Sequence, residues 1–225
     1  FTVDVRYSSN RTSLGAGDIS SLVNAKIQDF MDTNLNRFNA AFYKSQLEGA
    51  LMDLDSSILS VNVSYKLQKR LPLVPNVRYN ATDTIIFPAK IHPNRIRSSY
   101  FYNVLPAADG TGFHLAQVID VPNQNPPDYN GTGLLKVIDL DNGQVLDDNI
   151  GSVYYAEGRI SLVATALLAI HGYVSNNTEF FANVGVQEGS GDIFPAYNEI
   201  ITLDDSTADP TAGVDNGITI NVYAV

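Results

Sequence analysis

Cysteine is absent from the 225 residues of this chain. The fold therefore has no disulfide framework, no thiolate metal site and no cysteine nucleophile. Basic residues are scarce too, because 14 lysines and arginines face 24 aspartates and glutamates, which gives a net charge of −10. A chain this acidic, without any run of like charge, is not attracted to nucleic acid or to an anionic membrane. We expect neither as a partner.

Long apolar runs are missing as well. The longest, Ile160 to Ile170, is interrupted by Ser161 and Thr165, and it is far shorter than the ~20 residues that a membrane helix needs. No signal peptide is recognisable. The chain begins at Phe1, inside an alternating pattern and without a methionine, so we expect a fragment or a trimmed form of a longer polypeptide.

The clearest periodicity lies in residues 18–71. Apolar residues at three-and-four spacing predict the core face of a first helix, and these are Ile19, Leu22, Val23, Ile27, Phe30 and Met31. A second helix is predicted to begin at Ser45, with Glu48 completing an S-x-x-E capping box. Strict alternation from Leu59 to Gln68, and again from Phe1 to Tyr7, predicts half-buried strands.

After Pro106 the helical periodicity ends, and Gly, Asp, Asn and Pro recur every few residues. Turns such as Asp141 to Gly143 and Ala156 to Gly158 separate short alternating runs, which predicts antiparallel hairpins. Another turn is predicted at His92 to Asn94, and further strands are predicted from Tyr197 to Leu203 and from Gly217 to Val225. The predicted fold class is therefore α+β. A small N-terminal sheet with two helices on one face would occupy residues 1–106, and a mainly β module of antiparallel hairpins would occupy residues 107–225.

Candidate chemistry is sparse. Asp139 and Asp141 alternate as in a Ca²⁺ loop, but Gly143 takes the third ligand position and no glutamate closes the loop, so a hairpin turn is the favoured interpretation. His114 and Asp120 could form a general base with its orienting carboxylate. The three histidines are too widely spaced for zinc, and no nucleophile elbow is present. A glycosidase carboxylate pair, which only the fold brings together, stays open as an alternative.

We accordingly expect no catalytic residue, no cofactor and no metal site. Three adjacent aromatic residues, Tyr100, Phe101 and Tyr102, fit either a sheet core or the centre of a protein interface. The sequence favours the core for these three side chains and leaves the interface open.

One stretch resembles a known family. Residues 38–71, FNAAFYKSQLEGALMDLDSSILSVNVSYKLQKRL, are similar to the segment of baseplate J-type proteins in which a helix that begins at Ser leads into a Val-rich strand. Here the serine is Ser45 and the strand holds Val61 and Val63. The segments Ile150 to Val163 and Gly191 to Asp205 resemble a hairpin and a segment near the end of such proteins. Together they are similar to the C-terminal part of the baseplate wedge protein of T-even-type contractile-tailed phages.

The resemblance implies a structural virion protein and no enzyme. Such proteins join neighbouring copies and other wedge proteins into a ring around the tail tube, and the ring rearranges when the sheath contracts. We expect a homo-oligomer built from dimers, assembled in the bacterial host cytoplasm and located in the tail baseplate. The candidate interface residues are Asn24, Gln28, Gln46, Asp53, Tyr100, Phe101 and Tyr102. The alternatives are a β-rich carbohydrate- or receptor-binding module and a glycan-cleaving enzyme.

Overall fold

The structure is a computed structural model of the chain. It describes residues 1–71, 84–106, 112–123, 131–162, 170–174, 180–186, 191–204 and 217–225. The chain forms two compact units: the first unit comprises Phe1–Tyr65, Glu188–Ala208 and Asn216–Val225, and the second unit comprises Lys66–Gln187 and Asp209–Asp215. The predicted domain boundary after residue 106 adjoins residues 107–111, which lie outside the described residues, and it stays a prediction.

Strands make up most of the regular structure in the described residues. The elements in chain order are β1 (Thr2–Tyr7), α1 (Ala16–Asn34), β2 (Phe42–Tyr43), α2 (Lys44–Met52), β3 (Ile58–Ser64), β4 (Lys66–Leu71), β5 (Thr84–Ile86), β6 (Ile91–Ser98), β7 (Phe101–Pro106), β8 (Phe113–Pro122), β9 (Thr132–Asp139), β10 (Val145–Tyr154), a 3-10 turn (Tyr155–Glu157), β11 (Arg159–Leu162), β12 (Ile170–Tyr173), β13 (Phe180–Val186), β14 (Asp192–Ile193) and β15 (Thr219–Ala224).

The first unit is built on a three-stranded sheet in the order β15-β1-β3. The central strand β1 runs parallel to β15 and antiparallel to β3. Its alternation decides which side chains enter the core, because Val3 and Val5 are fully buried while the residues between them are not. Helix α1 contacts β15 and helix α2 contacts β3. The helical core face is confirmed except at Leu22, which is exposed.

The predicted α+β class is wrong. The described residues are mainly strand, and α1 and α2 are the only α-helices among them. The predicted N-terminal sheet of residues 1–106 with two helices on one face is also wrong, since its third strand, β15, comes from the other end of the chain and β4 to β7 belong to a different sheet. Local periodicity predicts that a strand exists but carries no information about a parallel neighbour some 200 residues away in sequence.

The predicted strand from Leu59 to Gln68 divides at Tyr65. Its first half, β3, pairs with β1, whereas its second half, β4, pairs with β13 in the sheet of the second unit. A register shift between β1 and β3 also turns Leu59 away from the core, so that this leucine is exposed. The chain therefore leaves one sheet and enters the other without a loop.

The second unit contains ten described strands in one sheet, with a main path β4-β13-β6-β8-β9-β10-β11-β5 and with β7 pairing to β8 and β12. Every pairing in it is antiparallel. Both predicted hairpins are confirmed: β9 and β10 are joined through a turn that contains Gly143 at φ 72°, and β10 and β11 through the 3-10 turn and Gly158 at φ 64°. The predicted turn at His92 to Asn94 is instead an irregularity within β6.

Candidate assembly surface

An aromatic cluster supports one side of the first unit. The Phe42 ring meets the rings of Phe1 and Tyr65 at centroid distances of 5.8 and 5.3 Å, both in edge-on geometry. The Tyr65 hydroxyl donates to the Gly191 carbonyl at 3.3 Å. Burial raises the pKa of Tyr65 to about 12, with a further contribution from the negative charge of Asp192. The cluster fixes β2 and the start of the segment that follows residue 190.

Residues 192–201 run alongside residues 36–43. At one end β14 pairs with β2, so that Ile193 lies opposite Phe42. At the other end the Asn36 amide donates to the Ile201 carbonyl at 3.1 Å. Asn36 and Asn39 adopt left-handed backbone conformations, which asparagine tolerates better than most residues. The two segments are therefore held together by backbone contacts at both ends.

Large apolar side chains protrude from these two segments. Phe38 is 62% exposed, Phe194 60%, Tyr197 84% and Ile200 41%; we call these four residues the aromatic strip. Phe194 is steadied by an edge-on contact with Tyr43 at 5.8 Å. Isolated exposed apolar residues are ordinary, but four within two paired segments are characteristic of a contact surface.

A tight turn presents the most exposed member of the strip. The Glu199 amide donates to the Ala196 carbonyl at 2.9 Å, and the Glu199 carboxylate accepts from the Ala196 amide at 3.2 Å. Tyr197 lies inside this turn, so its position is set by backbone bonds. A backbone segment that is already ordered loses less conformational entropy on binding than a mobile one, which favours a role in recognition.

The sheet of the first unit has a second notable feature at β15. The Thr219 amide donates to the Phe1 carbonyl and the Val225 amide donates to the Tyr7 carbonyl. In a parallel pair these contacts alternate, so the odd-numbered residues of β15 face β1 and the even-numbered ones face away from it. In the described residues β15 pairs with no strand other than β1. The outward backbone groups of Ile220, Val222 and Ala224 thus form an open edge.

On the opposite edge strand, β3, an outward backbone amide is bonded by a charged side chain. The Val63 amide, which points away from β1, donates to the Glu48 carboxylate at 2.9 Å. Lys44 lies 3.4 Å from the same carboxylate oxygen. The predicted capping box is therefore wrong: α2 begins at Lys44, no side chain caps it, and Glu48 caps the neighbouring strand. A charged side chain over an edge strand discourages pairing with another chain.

The predicted interface residues belong to two different units. Gln28, Gln46 and Asp53 are exposed and Asn24 is half-buried, all on or next to α1 and α2 in the first unit. Tyr100, Phe101 and Tyr102 belong to the second unit. Among these, Phe101 is fully buried in the core and Tyr102 is 39% exposed, as alternation along β7 requires. The interface role of all seven residues stays a prediction.

The buried carboxylate of Asp120 in the second unit is engaged by protein partners. The buried Asp120 carboxylate accepts from the Asn94 amide at 2.6 Å, from the Ile96 amide at 2.9 Å and from the Tyr155 hydroxyl at 2.9 Å. Burial, together with the nearby Asp120 carboxylate, raises the pKa of Tyr155 well above its ordinary value. Asp120 is therefore not the partner of His114, a pair that the sequence left open as a possibility. Its carboxylate instead connects β8 with β6 and with the 3-10 turn.

His114 contacts Asp139 instead, with its Nδ1 atom 2.7 Å from Oδ2 of that buried carboxylate. The second oxygen of Asp139 accepts from the Asp141 amide at 2.9 Å. One oxygen of Asp139 thus shapes the turn between β9 and β10, and the other contacts a side chain of β8. Both oxygens are engaged by protein groups, which supports the hairpin interpretation over the Ca²⁺ loop. Within the described ranges no three His, Asp or Glu side chains cluster as metal ligands would.

Sequence reasoning missed the aromatic strip. It predicted a strand from Tyr197 to Leu203, whereas no strand is present in residues 194–204. A signal was available, since Phe194-Pro195 and Tyr197-Asn198 place aromatic residues beside turn-forming ones. An aromatic residue in a turn cannot alternate into a sheet core, so exposure was the better expectation.

Known protein families provide an independent comparison. Residues 1–70 match the model of a structural protein of the phage baseplate, which supports a structural role in the virion tail. In particular, the matched model is that of the baseplate structural protein gp6, C-terminal domain III. The match spans β1 to β4 and includes Phe38 and Tyr43. No curated protein matches the chain, and among the described residues no helix is both long and apolar enough to span a membrane.

Proposed function

We propose that this chain is a subunit of the tail baseplate wedge of a contractile-tailed phage. It joins neighbouring copies of itself and other wedge proteins into a ring around the tail tube, and the ring rearranges when the sheath contracts during infection. Dimers assembled in the host cytoplasm are the building blocks. The match of residues 1–70 to a baseplate structural protein carries the proposal.

The aromatic strip supplies one contact surface. Phe194 and Tyr197 are large, exposed and held by the backbone, which are properties of residues at the centre of protein interfaces. The role is not enzymatic: the buried carboxylates of Asp120 and Asp139 accept hydrogen bonds from protein donors and position strands and turns.

The test is assembly in phage that encode F194S together with Y197S. Removing an aromatic residue from the centre of an interface costs about 2 kcal/mol, or about 30-fold in affinity for each residue. We expect unassembled baseplate subunits to accumulate, as seen by electron microscopy and sedimentation of infected-cell lysates. I86S together with V145S is the matched control, because Ile86 and Val145 are also exposed but belong to the second unit. Equal assembly in both phages would contradict the role of the strip.

A second candidate function is recognition of a carbohydrate receptor. Exposed aromatic rings such as those of Phe194 and Tyr197 also stack on sugar faces, which favours this alternative over a glycan-cleaving enzyme. The chain contains 12 tyrosines and no tryptophan, so its tyrosine fluorescence can be followed during titration with host-surface oligosaccharides, and comparison with Y197S isolates the contribution of the strip. Saturable quenching that Y197S abolishes, in a protein whose baseplates still assemble, would replace the assembly role by receptor binding.

A further inference from the structure

We infer that β15 pairs antiparallel with β15 of a second copy of this chain, extending the three-stranded sheet of the first unit across a two-fold axis. The inference rests on the proposed self-association and names the surface that performs it. It concerns the strand edge and not the aromatic strip.

The first argument is the unused bonding capacity of the edge. The outward amides and carbonyls of Ile220, Val222 and Ala224 point away from β1, as the alternation of the observed bonds requires. Their side chains are half-buried or exposed, so the strand is accessible. An open edge of this kind is a template for another strand.

The second argument is the contrast between the two edges of the same sheet. Natural edge strands avoid pairing through charged residues, proline or a covering side chain. β3 follows this rule, because Glu48 caps Val63. Residues 217–225, GITINVYAV, contain no charge and no proline. One edge is therefore protected against pairing and the other is not.

The third argument identifies a second copy of this chain as the partner of β15. The chain carries a net charge of −10, so two copies approach each other with the least repulsion through a segment that has no charged side chain, as β15 has none. A basic partner would find no acidic residue on β15 to attract it. The strand is also self-complementary: in antiparallel register Val222 lies opposite Val222 of the second copy, and Ile220 lies opposite its Ala224. Pairing about a two-fold axis then gives every outward amide and carbonyl of β15 a hydrogen-bond partner.

The test is the dimerisation equilibrium of the unmodified chain and its variants by sedimentation equilibrium. V222P removes an amide that points outward and spares the bonds to β1, and A224K adds a charge at an exposed edge position. We expect each to raise the dimer dissociation constant at least about tenfold. V145K, which adds the same charge at an exposed residue of the second unit, is expected to leave it unchanged.

Circular dichroism and thermal melting show whether V222P keeps the fold, and A224K provides an independent answer if it does not. Edge variants that dimerise like the unmodified chain overturn the inference. If the β15 variants dimerise normally but F194S with Y197S weakens dimerisation, the chain self-associates through the aromatic strip, and the assignment of the dimer contact to β15 is wrong. An unmodified chain that stays monomeric at millimolar concentration also overturns the inference, while the baseplate role is still decided separately by assembly in phage.

Discussion

Replacing Tyr155 by phenylalanine tests whether the Asp120 network stabilises the second unit. The substitution keeps the buried ring and removes only the hydroxyl that donates to Asp120 at 2.9 Å. A hydrogen bond to a charged acceptor contributes about 1.5–3 kcal/mol, and the carboxylate keeps the amides of Asn94 and Ile96 as donors. We therefore expect a loss near the middle of that range, about 2 kcal/mol.

The assay is differential scanning calorimetry. For a chain of this length about 2 kcal/mol corresponds to a decrease in Tm of about 4–8 °C. Y197F is the matched control, since it removes the hydroxyl of an 84% exposed tyrosine and is expected to change stability by less than about 0.5 kcal/mol. If Y155F and Y197F melt at the same temperature, the Asp120 network does not stabilise the fold and the reasoning is refuted.

Three further predictions concern packing, pH and the capped edge. G133A places a Cβ against the Tyr155 hydroxyl and 2.9 Å from the Val121 carbonyl, so it should destabilise the fold by about 1–3 kcal/mol. G49A, which has open space in α2, should stabilise the fold by about 0.5–1 kcal/mol. Chemical denaturation decides the sign of each change. The pKa of Tyr65 is raised to about 12 from about 10 in the unfolded chain. The contribution of Tyr65 to the free energy of unfolding should therefore be fully present below pH 10 and decrease as the pH rises toward 12. Y65F should reduce that decline in melts recorded at successive pH values, and an unchanged pH profile would contradict the shift. E48A leaves the Val63 amide without its acceptor, so it should lower the free energy of unfolding by about 1 kcal/mol and promote association. E48Q keeps an acceptor and should lower the free energy of unfolding less. Equal losses for the two variants in urea denaturation would argue against the hydrogen bond between Glu48 and Val63.

Local pattern predicted local structure well in this chain. The core face of α1 and the strands β1 and β15 follow from periodicity, because burial of one face imposes a repeat of 3.6 or 2 residues wherever it occurs. The hairpin that contains Gly143 follows from turn chemistry, since few residues other than glycine adopt its positive φ at no cost. These features depend on residues near one another in sequence.

The candidate site was predicted less well for the same reason. Glu48 was assigned to a capping box by its spacing from Ser45, yet its carboxylate finds the Val63 amide, 15 residues away. His114 was considered as a possible partner of Asp120 and in fact contacts Asp139 on the neighbouring strand β9. A polar group takes whichever partner the fold places nearest, and spacing in the sequence does not reveal that choice.

The sequence by itself determined the absence of disulfides, the acidic charge, the strands and the long helix, and the resemblance of residues 38–71 to phage baseplate proteins. Only the tertiary structure decided that the chain is mainly β, that β15 joins the first sheet beside β1, and that the strip of Phe38, Phe194, Tyr197 and Ile200 is exposed. The physical reason is that composition and periodicity are properties of neighbouring residues, whereas sheet order and exposure depend on which distant segments meet when the core closes.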